Sequence, residues 1–251
     1  MRNVMGEPGW TREVFASPPV DRLKHRSSYT QTHQPWSTQD NRFAPVQGRP
    51  ELSAYLALQY LQTLGLVVRF KEHPFETKEE EFGRRIKPDF FLEAVTSEGT
   101  AADPIVIEVK TARYVTEALA LELRSNKQAF ARFNLRYVVW TDRHPLVHGV
   151  RHNLLHMSRA SGEDIVSEEV LRLRSFVASR PHTLVLDAFR ERFDYDCIYA
   201  ATWRGAIHFP LKEFLHERSP LSLAPSIDPR LFFRGEAPRS SSDWWGTLAR
   251  A

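Results

Sequence analysis

Cysteine is nearly absent from this sequence. Cys197 is the one cysteine in 251 residues, which excludes an intrachain disulfide and any cysteine-rich zinc site. Long apolar runs are missing too. None approaches the roughly 20 residues that a membrane-spanning helix needs, and Met1-Arg2-Asn3-Val4 lacks the apolar stretch of a signal peptide. No membrane partner is expected, and the expected compartment is the cytoplasm. A strong charge imbalance is also lacking. The formal net charge of +3 permits nucleic-acid binding without arguing for it, so the distribution of charge matters more than its sum. What is present is 42% hydrophobic residues, enough for an ordinary core in one large or two modest domains.

The most informative stretch is Lys87-Pro88-Asp89-Phe90-Phe91-Leu92, followed after a polar loop by Ile105-Val106-Ile107-Glu108-Val109-Lys110. Both halves are short runs of β-branched and aromatic residues, which reads as two adjacent strands. Asp89 falls at the start of one strand. Glu108 and Lys110, two residues apart, share a face of the other. Two carboxylates suit a hard divalent cation with positions left for water and phosphate oxygens, while a lysine beside them can orient the attacking water and offset transition-state charge. The order Pro-Asp…Glu-x-Lys is a nuclease signature, although each charge singly also fits an edge-strand residue that discourages aggregation.

A third acid, Glu51, lies in the first turn of a helix predicted from Glu51 to Leu64, opened by Pro50 and stopped by Gly65. It reads either as an acid complementing the helix dipole or as a carboxylate leaning over the strands. Strands are predicted at Leu66–Glu72 and Phe75–Thr77, with Ile86 starting the Asp89 strand. A helix follows over Val115–Phe133, then a parallel strand over Leu135–Asp142 reached through that crossover helix. The sum is an α/β sandwich. The run Glu79-Glu80-Glu81 reads as a solvated turn, Arg84 and Arg85 as phosphate contacts, and Lys127 with Gln128 as candidates for facing the active side or as plain surface residues.

This order of an early helical Glu, then Val67-Val68-Arg69-Phe70-Lys71-Glu72-His73-Pro74-Phe75, then Pro88-Asp89-Phe90 and Glu108-Val109-Lys110, with Asn153-Leu154 beyond, resembles TnsA-type endonuclease subunits of heteromeric transposases, within the PD-(D/E)xK superfamily. It covers roughly Arg42 to Ser222. The resemblance implies a restriction-endonuclease-like α/β core, a mixed sheet flanked by helices, joined to a smaller, mainly α, winged-helix-like C-terminal domain. It implies Glu51, Asp89, Glu108 and Lys110 as the catalytic set. The expected metal ligands are Asp89, Glu108 and the Val109 main-chain carbonyl, with Glu51 as an additional candidate, and the expected cofactor is Mg²⁺, with Mn²⁺ as a substitute. Some family members carry Gln where Glu108 stands. The implied activity is cleavage of the non-transferred strand, at its 5′ end, at transposon ends. The implied partners are double-stranded DNA, a DDE-type transposase, and an AAA+ ATPase regulator met by the C-terminal region. A restriction or repair nuclease of the same fold, or a non-catalytic DNA-binding scaffold, are the alternatives.

The domains expected are an irregular basic arm over 1–42, a nuclease domain over 43–146, a winged-helix-like domain over 147–224 and an irregular tail over 225–251. In the arm, Arg22–Tyr29 is basic, and Trp36 and Phe43 are expected to dock on the core. His148, His152 and His156 recur every four residues, a spacing that can bind zinc but that here reads as a polar linker helix. Helices are predicted around Ile165–Val177, Leu184–Phe193 and Cys197–Trp203, with a turn and wing-like strand at Gly205–Leu211. Trp244 and Trp245 are candidate anchors for a partner or for the chain's own core. A cut near Arg159 is expected to leave a foldable core, and Asp89→Ala to spare the fold.

Overall fold

The computed structural model describes residues 5, 8–20, 32–37, 42–78, 82–95, 103–144, 150–161, 165 and 167–225. Arg22–Tyr29, Glu79–Glu81, His148 and the tail with Trp244 and Trp245 lie outside them. The described chain is mixed α/β and divides into two compact units. The first takes the described residues up to Tyr55 and Val67–His144. The second takes Leu56–Leu66 and the described residues from 150 onward.

The segment expected to be an irregular arm contains a helix, α1 (Pro8–Ala16). Proline at the first helical position loses no hydrogen bond there. Nine residues are too few for a period to stand out from the sequence, and packing stabilises the helix instead. The Trp10 ring meets Phe75 and Phe91 edge-on at 5.1 and 5.5 Å, and Val14 is buried. The Lys71 ammonium donates to the carbonyls of Val14, at 2.6 Å, and Ser17, satisfying the end of α1. Two short antiparallel pairs follow: β1 (Thr32–His33) with a later strand β4 (Val46–Gln47), and β2 (Trp36–Ser37) with β3 (Arg42–Phe43). Phe43 does not dock as expected. It is 60% exposed, and Ala44 and Val46 are the residues buried there.

Helix α2 (Gly48–Thr63) carries Glu51 in its first turn, and Gly65 at φ +71° follows it in the left-handed conformation. Four strands, β5 (Val67–Glu72), β6 (Phe90–Ala94), β7 (Asp103–Lys110) and β8 (Arg136–Thr141), form one sheet in that order. The first two pairings are antiparallel and β7–β8 is parallel, the crossover being helix α3 (Glu117–Ala131). No strand forms at Phe75–Thr77. Thr77 instead closes a loop onto Ile86, its N–H donating to the Ile86 carbonyl at 2.9 Å and its hydroxyl accepting from the Ile86 amide at 2.7 Å.

Alternation along the strands sorts their side chains. Phe91, Val106, Tyr137 and Val139 pack with Val14 of α1 and Leu123 and Phe130 of α3 on one face. Tyr55 of α2 meets Phe70 and Phe90 on the other. The carboxyl ends of β7 and β8, the carboxyl end of β5 and the start of β6 therefore meet at one edge of the sheet, the end at which α/β folds commonly place ligands.

In the second unit, helices α4 (Arg151–Ala160) and α5 (Ser167–Ser179) are followed by the short α6 (Val185–Arg190) and by α7 (Tyr195–Trp203). Every residue from Cys197 to Trp203 is buried, as for a helix apolar on all sides. Burial pushes the Cys197 thiol up to about 12, consistent with a packing role. At Gly205–Leu211, where a wing strand was expected, His208 makes an isolated bridge to Ser222; a second isolated bridge joins Leu184 and Pro220. Asn153 is buried, its amide donating to the carbonyls of Leu211 (2.7 Å) and Glu213 (2.6 Å). His152 meets Phe214 edge-on and His156 stacks on Tyr199, with centroids at 4.6 and 5.2 Å.

Candidate metal centre

The site grows out of the register of the sheet. Phe90 pairs with Ile107, so one step further Asp89 stands across from Glu108. Because β6 stops there, the Val109 amide has no strand carbonyl on that side, and the Asp89 carboxylate takes its place by accepting from Val109 N–H at 2.6 Å. Glu108 and Lys110 share a face, as their spacing requires, and their charged ends form an ion pair. Glu108 is buried and Lys110 half-buried.

Glu51 reaches the same edge from α2. Its Oε2 accepts from the Gln47 amide at 2.8 Å, which satisfies a donor at the start of the helix, and its Oε1 lies 3.2 Å from His73 Nε2. Glu51 thus caps the start of the helix and lies beside His73 at the same time. His73, directly after β5, is a residue that the sequence pattern did not single out. It is 3% exposed and has φ +42°, the left-handed region that non-glycine residues seldom occupy. Backbone bonds on both sides fix it there: its N–H donates to the Asp89 carbonyl and its carbonyl accepts from Val20 N–H, both at 2.8 Å. Among the described residues, Glu51, His73 and Asp89 are grouped so that one donor atom from each lies within 4.8 Å of the others, and all three are buried.

Two carboxylates in a buried place fit a divalent cation, because their mutual repulsion needs a positive charge to offset it. The imidazole widens the donor set beyond the all-oxygen set expected for Mg²⁺. Tyr137 adjoins the acids. Burial first, and then the negative charges of Glu108 and Asp89, push its phenol well up, so it stays protonated. Its oxygen accepts from the buried Asn126 amide at 3.4 Å.

The residues expected to contact DNA have different surroundings. Arg84 is turned toward α3, donating to the Glu122 carbonyl at 2.9 Å and to the Asn126 side chain, so its visible job is to hold that helix. Arg85 is largely exposed, 3.9 Å from Glu76, and Lys127 is exposed on α3. Gln128 is exposed as well, and the polar residue that α3 buries is Asn126. A hydrogen bond between residues 42 apart, such as Arg84 to Asn126, leaves no local trace in the sequence.

No protein-family model matches this sequence, and no curated protein matches it.

Proposed function

We propose that the chain is a divalent-metal-dependent DNA nuclease and, on its sequence resemblance, the subunit of a heteromeric transposase that cuts the non-transferred strand at transposon ends. The observation that carries this reading is the grouping of Glu51 with Asp89, brought from separate elements, with Glu108 across from Asp89 in the strand register and Lys110 paired to Glu108. A bound divalent cation would supply charge neutralisation at the scissile phosphate and a more acidic water. Glu51 and Asp89 would hold it, and Glu108 stands beside them. Lys110, ion-paired to Glu108, keeps an ammonium at the edge of the site where it can hydrogen-bond water or a phosphate oxygen. Arg85 and Lys127 offer exposed positive charge for the DNA backbone. We read α5 to α7 with the His208↔Ser222 bridge as winged-helix-like, the bridge standing where wing strands would run. DDE-type transposase and AAA+ regulator remain the proposed partners.

The test is strand-mapped cleavage of labelled transposon-end duplex and nicking of supercoiled plasmid, with Mg²⁺ or Mn²⁺, by the wild type and by Asp89→Asn. Nicking by the wild type alone is expected. Equal nicking by the variant, or activity that persists in excess chelator, overturns the reading.

A further inference from the structure

We infer that His73 is a metal ligand, so that Glu51, His73 and Asp89 form a mixed nitrogen and oxygen site that takes a first-row transition cation such as Mn²⁺ in preference to Mg²⁺. The inference rests on the proposed metal-dependent function and adds to it the class of ion. Three observations carry it.

The donors come from three different elements: the first turn of α2, the residue after β5 and the residue before β6. They converge within 4.8 Å. Each donor residue is also held by a hydrogen bond involving a main-chain group. Gln47 N–H fixes Glu51, Val109 N–H fixes Asp89, and the Asp89 carbonyl and Val20 amide fix the backbone of His73. Held donors keep their geometry when an ion arrives, which lowers the cost of binding.

The second observation is the environment of the ring. His73 Nε2 lies 3.1 Å from the Pro45 carbonyl and 3.2 Å from Glu51 Oε1. Metal-bound histidines commonly give one ring N–H to a carbonyl or carboxylate, which sets the tautomer and orients the ring. The left-handed turn at φ +42° takes His73 out of the regular strand conformation at this point.

The third is chemistry. Mg²⁺ demands oxygen ligands in near-ideal octahedral geometry, whereas imidazole with carboxylates suits first-row transition ions. A pocket built for Mg²⁺ alone has no use for a buried imidazole among its carboxylates.

The experiment measures Mn²⁺ and Mg²⁺ binding to the full chain by calorimetry. It records electron spin-echo modulation of the Mn²⁺-loaded protein, which detects a directly bonded imidazole nitrogen. The wild type should bind Mn²⁺ more tightly than Mg²⁺ and show nitrogen coupling. His73→Gln should lose the coupling and lower the Mn²⁺-to-Mg²⁺ affinity ratio by at least about tenfold, the scale on which ligand-shell changes act. Wild-type Mn²⁺ without nitrogen coupling, coupling that survives in His73→Gln, or no Mn²⁺ binding at millimolar metal each overturns the inference; the wild-type spectrum decides even if the variant fails to fold. Plasmid nicking run alongside separates the two levels. A chain that cuts with metal but shows no nitrogen coupling is a nuclease whose His73 merely pairs with Glu51. A chain that shows the coupling but never cuts keeps the site and loses the nuclease reading.

Discussion

The Asp89 carboxylate accepts a 2.6 Å hydrogen bond from the Val109 main-chain amide, so a residue read from the sequence as a ligand also closes the β6–β7 ladder. This changes what its removal should do. Asp89→Ala was expected to spare the fold, yet it leaves a buried amide without its acceptor, at a cost of about 1–3 kcal/mol. Asp89→Asn keeps an oxygen for that amide while removing the charge. Nicking should fall at least about a hundredfold in both variants, whereas the melting temperature should fall clearly only in Asp89→Ala. Thermal unfolding beside a nicking assay checks this, and equal melting of the two variants would remove the ladder-closing role.

A second expectation concerns the cation. Ca²⁺ is larger and tolerates looser geometry than Mg²⁺ or Mn²⁺, so it should occupy the carboxylates and raise the melting temperature without supporting nicking. Glu51→Gln should weaken that thermal shift. Nicking at the Mg²⁺ rate with Ca²⁺ would count against the proposed site.

In the second unit, burial lowers the pKa of His208 from 6.5, and its Nδ1 lies 3.3 Å from the Tyr60 hydroxyl. The unfolded chain takes up a proton near pH 6.5 that the folded chain refuses. The stability from neutral His208 is therefore full above that pH and is lost as pH falls below it toward the lowered folded value. Melting temperatures from pH 7.5 to 5 should drop more steeply for the wild type than for His208→Gln, which keeps a polar neighbour for Tyr60. Parallel curves would assign the acid sensitivity to other groups.

Gly205 offers a purely steric test. It sits at φ +67°, and a Cβ there would lie 2.8 Å from the Leu64 side chain. Gly205→Ala should destabilise by about 1–3 kcal/mol from backbone strain, read as a lower denaturant midpoint at unchanged slope.

How far the sequence reaches can be judged from single residues. Phe90, Val106 and Val138 sit in dense β-branched and aromatic runs, so the strands, their pairing and the facing of Glu108 and Lys110 follow from local pattern. His73 does not. The predicted strand ends at Glu72, one residue earlier, and what sets His73 apart is its closeness to Glu51 and Asp89, brought in from elsewhere in the chain. Asn126 and Tyr137 were hidden for a related reason, since a buried amide and a buried phenol look from sequence like any helix and strand residue. The helix α1 was lost among prolines and polar residues because its stability comes from Phe75 and Phe91, more than 60 positions away.

The last prediction follows from the division of α2. From the sequence, a cut near Arg159 should leave a complete nuclease core. In the structure Leu56–Leu66 belongs to the second unit, where the Tyr60 ring lies 5.9 Å from Trp203 and is only 4% exposed. Leu61, 1% exposed, lies in the same segment. Cutting the chain at His144 or near Arg159 removes Trp203 and His208 and uncovers the Tyr60 side of α2. Burial of one large side chain is worth about 1.5–3 kcal/mol, so this uncovering consumes a large part of an ordinary domain's stability. The proposed catalytic residues would all be present, yet Glu51 rides on the helix that has lost its cover. The fragment should melt well below the full chain, aggregate through the exposed face and nick weakly. Replacing Tyr60 with Gln should improve its solubility without restoring the melting temperature. Circular dichroism melts and light scattering of the fragment, the Tyr60→Gln fragment and the full chain decide the matter. A fragment that melts as the full chain does would show that α2 needs no cover from the second unit.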